Sequence, residues 1–182
     1  MTMTPRTRRF ALTAHIVSTL GWLGAVLVFL ALAVIGLTSP DAQAVRGAYL
    51  VMEPAAWYVL VPLAFASLLT GLILALGTTW GLGRHYWVLF KLVINVFATI
   101  VLLMFMETFS IMANMAADPA MATADVRAMG TFPRDHAAAA ALLLLAATLL
   151  AVYKPKGKTR YGQRKHRQPR TNQREQRAAP IP

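Results

Sequence analysis

Two groups of polar side chains sit inside otherwise apolar stretches, and each could carry chemistry. The first is His15, Lys91 and Asn95. Ser18 and Trp22 follow His15 at i+3 and i+7, and Asn95 and Thr99 follow Lys91 at i+4 and i+8. On helices these spacings give each segment one polar face. At 1.5 Å rise per residue, His15 and Lys91 fall at the same depth, roughly 12 Å from the middle of their segments. Ionisable groups in such surroundings are costly and mark functional sites. This group suits a proton relay or cofactor contact. The plainer account is a lysine that snorkels to the interface and a histidine hydrogen-bonded to serine, asparagine or a backbone carbonyl.

The second group is Glu107 and His136, with Met104 and Met115 beside Glu107 on one helical face. Beyond Met1 and Met3, the methionines all gather toward this end: Met52, Met104, Met106, Met112, Met115, Met121 and Met129. Thioethers and imidazole suit copper, so Glu107, His136, Met104 and Met115 form the metal-site expectation. The plainer account is that methionine fills irregular apolar gaps. Haem ligation by His15 and His85 is weaker, because their depths differ by nearly 10 Å. The chain has no Cys, which excludes disulfides, thiolate metal sites and a cysteine nucleophile. No phosphate-binding loop, nucleophile elbow, dinucleotide fingerprint or HExxH pair is present.

The elements that position these groups follow from composition. Of 182 residues, 57% are hydrophobic and 14% charged, against about a quarter charged in soluble domains. Long apolar stretches, charge-free except for Lys91 and Glu107 in the third, predict four transmembrane helices at about 10–37, 55–76, 86–111 and 136–153, each close to or longer than the ~20 residues needed to cross hydrocarbon. The first run is too long for the ~7–15 apolar residues of a signal peptide. The fold expectation is therefore an all-α, four-transmembrane-helix bundle over 1–153 and a disordered basic tail over 154–182. Between spans one and two, Ser39 as N-cap with Pro40 at the first helical position predicts a helix toward Met52. Pro54 should then kink or break it. A short helix is expected in the loop around 123–127. Ser67, Gly71 and Ala75, spaced by four, permit close packing of span two.

Orientation follows from charge. Of the 18 Lys and Arg, fifteen fall on the side of the termini, while Arg46, Arg127 and Arg134 fall on the other. The positive-inside rule then places both termini in the cytoplasm. Tyr49, Trp57, Tyr58, Trp80, Tyr86, Trp87 and Tyr153 mark the interfaces, with Trp22 left mid-span. The net charge of +11 therefore points to membrane orientation and to anionic inner-leaflet lipids at the tail. Nucleic acid is not expected as a partner. The bilayer, and other membrane proteins, are.

The stretches TAHIVSTLGWLGAVLVFLALAVIGLTS (13–39), VRGAYLVMEPAAWYVLVPLAFASLLTGLILALGTTWGLGRHYWVLFKLVINV (45–96) and VYKPKGKTRYG (152–162) carry a resemblance. They resemble an actinobacterial domain-of-unknown-function family of small four-span integral membrane proteins, most specifically in WGLGRHYWVLFK. The resemblance implies a bacterial plasma membrane and supplies no reaction. In topology the chain is also similar to histidine-containing helical bundles such as copper-resistance D-type proteins, an analogy of fold alone. The expected function is a non-enzymatic transport, accessory or scaffold component without a cofactor. The alternative is a copper- or haem-linked redox protein.

Overall fold

The structure, a computed structural model, describes residues 3–77 and 86–153. Its elements are α1 (Pro5–Thr38), α2 (Ala42–Ala55), a π-helical turn (Ala56–Leu60), α3 (Val61–Gly77), α4 (Tyr86–Ala117), α5 (Thr123–Ala128) and α6 (Thr131–Tyr153). The fold is all-α. Four helical stretches are long and apolar enough to cross a membrane: α1, α2 through α3, α4, and α5 with α6. The basic tail and the 78–85 connection, with Trp80, Arg84 and His85, lie outside the described residues.

Helix ends follow local chemistry. Thr4 caps α1 by accepting from the Thr7 N–H, and Pro5 follows where its missing N–H costs nothing. Ser39, expected to start the second helix, instead ends the first: its N–H donates to Ile35 O at 2.9 Å. Pro40 pushes Ser39 into extended backbone (φ −63°, ψ 133°). Asp41 becomes the N-cap of α2, accepting from Gln43 N at 3.0 Å and Ala44 N at 3.3 Å. A carboxylate bridging two free N–H groups is a stronger cap than one hydroxyl.

Pro54 does not break the second span. The helix continues, and the turn just after it widens to π geometry at Ala56–Leu60. The buried residues explain this local form. Met52, Ala56, Leu60 and Ala64 recur every four residues and are almost fully buried. In a regular α-helix each such step drifts about 40° around the axis. A widened turn takes up that drift and keeps the four side chains inward.

α1 packs against α3 and α6, and α4 packs against the same two helices. α1 and α4 therefore face each other across the bundle diagonal. In one half that diagonal is filled. Phe29 and Phe109 meet edge to face with centroids 5.5 Å apart, and Trp22 is only 2% exposed. Trp22, the mid-span exception, is thus a core residue, and so is Tyr49, expected at the interface but fully buried. Val45, Tyr49 and Met52 of α2 and Met106 and Met112 of α4 extend this core.

The same half holds a polar latch. Arg46 of α2 donates to Ala116 O (2.9 Å), Asp118 O (2.8 Å) and Met121 O (2.5 Å). Ala116 is in the last turn of α4 and Asp118 and Met121 lie just beyond it, where a helix leaves acceptors unsatisfied and a cation is favoured. Large apolar side chains such as Phe10, Phe90, Leu142 and Val152 cover the outside, as a lipid-facing surface requires.

Candidate intramembrane binding site

In the other half of the bundle the diagonal stays open. A cavity of about 590 Å³ lies there, walled by α1, α3, α4 and α6. Its position has a steric cause. Where Phe29 and Phe109 fill the far half, the near half offers His15 and Thr19 from α1 and Lys91 and Asn95 from α4. Those side chains do not close the gap. The cavity volume lies within the ~300–1,000 Å³ usual for small-molecule sites.

The structure thus gathers the predicted trio of His15, Lys91 and Asn95 on one cavity. Arg8, not foreseen, joins them about two turns from His15, toward the start of α1. Thr148 of α6 lies on the wall opposite α3.

Hydrogen bonds fix the state of His15. Its Nδ1 lies 3.1 Å from Thr70 Oγ1. The Thr70 hydroxyl donates its one proton to Ala66 O at 2.5 Å. Thr70 can therefore only accept from His15, so Nδ1 carries a hydrogen and Nε2 is left as an acceptor in the neutral ring. Gly71 makes room for this arrangement, since a Cβ there would lie 3.0 Å from His15 Cε1. The Ser67–Gly71–Ala75 stripe is thus more than a packing motif. It admits an imidazole.

Asn95 is held differently. Ser67, fully buried, sits 3.0 Å from Thr19 Oγ1 and receives a long 3.3 Å bond from Asn95 Nδ2. Asn95 Oδ1 is buried without a protein donor. Thr99 bonds back to Asn95 O at 2.8 Å and so belongs to its own helix. Lys91 lies about one turn from Asn95 toward the helix start. The single ion pair among the described residues is Arg134–Asp135 at 2.8 Å, so Lys91 has no carboxylate partner among them.

The outer group is arranged otherwise. His136 packs against Phe105 and Phe132, with centroids at 4.0 and 4.5 Å, and its Nδ1 donates to Phe132 O at 2.9 Å. Glu107 is exposed and Met104 is 74% exposed, while Met115 is partly buried. Among the described residues no group of three or more His, Asp or Glu could hold a metal ion. Met52, Met106 and Met112 are core residues, and Met121 and Met129 pack on that core. Glu53, at the end of α2, accepts a short hydrogen bond from the Ser110 hydroxyl. The His15–His85 haem pairing falls on a residue outside the described ones.

Sequence reasoning missed Thr70, Thr19 and Arg8 as partners of the trio. The signal for Thr70 was available, because it follows Ser67 at i+3 on a polar strip of span two.

The class these features define is a multi-pass helical membrane protein with a polar-floored cavity inside its bundle. No known family, curated protein or solved structure matches the chain.

Proposed function

We propose that this chain is a non-enzymatic transport or accessory component of a bacterial plasma membrane, and a member of the actinobacterial four-span family it resembles. Both termini face the cytoplasm, and the cavity holds a small guest. The observation that carries this reading is the cavity itself. It collects hydrogen-bonding and cationic groups from α1 and α4 within apolar walls, and no carboxylate lines it among the described residues. Such a site can recognise and retain a molecule.

Charge supports the orientation. Arg8 and Lys91 share the end where α1 and α4 start, and the Met3 N–H reaches Gly77 O at 3.3 Å there. Arg46, Arg127 and Arg134 lie at the other end with Asp41, Glu53, Glu107, Asp118, Asp125 and Asp135. The ten Lys and Arg of residues 154–182 add to the positive charge of the chain and are attracted to anionic lipids of the inner leaflet.

The absence of cysteine makes single-site labelling a direct test. Ala151→Cys, on the cavity wall, should react with a membrane-impermeant maleimide from the cytoplasmic side alone. Leu142→Cys, 68% exposed toward lipid, should react from neither side. Labelling of Ala151→Cys from the outside, or from neither side, would reject this reading.

A further inference from the structure

Resting on that reading, the chemistry of the guest can be named. We infer that the cavity takes an anionic amphiphile: a carboxylate or phosphate group beside a hydroxyl, on an apolar chain.

The anion follows from Lys91. Cations at membrane depth are found paired, and no carboxylate in the described structure reaches this one. Glu107, on the same helix, lies about 24 Å farther along it. Asp41, Glu53, Asp118, Asp125 and Asp135 all belong to the opposite end. The counter-charge for Lys91, with Arg8 nearer the mouth, therefore comes from outside the described chain. A bound acid group supplies it and gains charge-assisted hydrogen bonds.

The hydroxyl follows from the acceptors. Asn95 Oδ1 is buried with no protein donor, and with its hydrogen on Nδ1 the neutral His15 ring keeps Nε2 as an acceptor. Both residues line the space that Lys91 lines. An anion has no proton for them, whereas a hydroxyl next to the acid group does. The chain follows from the walls, where Leu12, Ile16, Leu20, Val88 and Leu92 face the same volume. A small hydrophilic anion such as inorganic phosphate would leave that surface uncovered.

The test uses the full chain carrying Ala151→Cys in phosphatidylcholine nanodiscs, with protection from maleimide as the readout. The probes are β-hydroxytetradecanoate, tetradecanoate, tetradecanol and myristoyl lysophosphatidate. The hydroxy acid or the lysophosphatidate should protect at concentrations at least about tenfold below tetradecanol, as a charge-assisted contact requires. Protection by the carboxylate alone assigns a free acid, and protection by the lysophosphatidate assigns a leaflet phospholipid.

Lys91→Met should erase the preference for acid over alcohol, and Lys91→Arg should keep it. Where Lys91→Met aggregates on size-exclusion chromatography, Asn95→Leu serves instead. It must abolish the preference for the hydroxy acid over tetradecanoate. Equal protection by tetradecanol and the acids would overturn the anionic guest while leaving a binding cavity. Protection by none of the four probes would overturn both readings.

Discussion

Replacing Asn95 by leucine should stabilise the guest-free protein, although most substitutions destabilise by about 1 kcal/mol. The sign follows from the local hydrogen bonds. Asn95 Oδ1 is buried without a protein donor, and such an acceptor costs about 1–3 kcal/mol. Leucine removes that cost. It also removes the 3.3 Å bond from Nδ2 to Ser67. Interhelical hydrogen bonds in membranes are worth about 0.6 kcal/mol on average, and this one is long. Ser67 keeps Thr19 as its partner at 3.0 Å. The two side chains are similar in volume, so little repacking is needed. The net expectation is a gain of about 1 kcal/mol.

Denaturation by sodium dodecyl sulfate in mixed micelles, followed by fluorescence of the four tryptophans, measures the difference. With a saturating hydroxy acid the order should reverse. At a hundredfold excess over Kd a guest adds about 2.7 kcal/mol to the protein that binds it, and Asn95→Leu has lost the acceptor. A guest-free variant less stable than the parent by about 1 kcal/mol or more would refute the reasoning. It would mean that Oδ1 is satisfied within the folded protein.

Other substitutions test the packing that holds the cavity open. Arg46→Met removes three bonds to carbonyls at the end of α4 and should cost about 2–4 kcal/mol in the same assay. Arg46→Lys, a point charge in place of a planar fork, should recover only part of it. Tyr49 has a buried hydroxyl without a protein partner, so Tyr49→Phe should be neutral or stabilising by up to about 1 kcal/mol. A Cβ at Gly130 would collide with that hydroxyl. Gly130→Ala should therefore be strongly destabilising alone and milder with Tyr49→Phe, a coupling that a double-mutant cycle reads directly. Trp22→Ala should cost about 2–3 kcal/mol, below the ~3–5 of water-soluble cores, because lipid rather than water is the alternative surrounding. Hydrogen exchange of α1 should rise with it, and an unchanged exchange pattern would count against Trp22 as a core residue that holds α1 in place.

The four long helices were legible in the residues alone. Length and hydropathy are additive along a chain, and a bilayer reads them segment by segment. The short helix at 123–128 was likewise legible, from residues next to one another. Cap position was less so: choosing Asp41 over Ser39 depends on which side chain reaches two N–H groups. The trio of His15, Lys91 and Asn95 was legible as three intramembrane polar residues at matched depth, because depth scales with residue number.

What only the tertiary structure decided is which helices stand diagonal to one another and how far apart their side chains end. Sequence spacing assigns a residue to a helix face but not to a neighbour across the bundle. It could not show that Phe29 meets Phe109 and shuts one half. Nor could it show that Gly71 yields space to an imidazole, or that Thr70 spends its only proton on Ala66 and so sets the tautomer of His15. A cavity is the space left after several side chains from different helices have been placed. That remainder depends on all of them together, and no single stretch of the chain contains it.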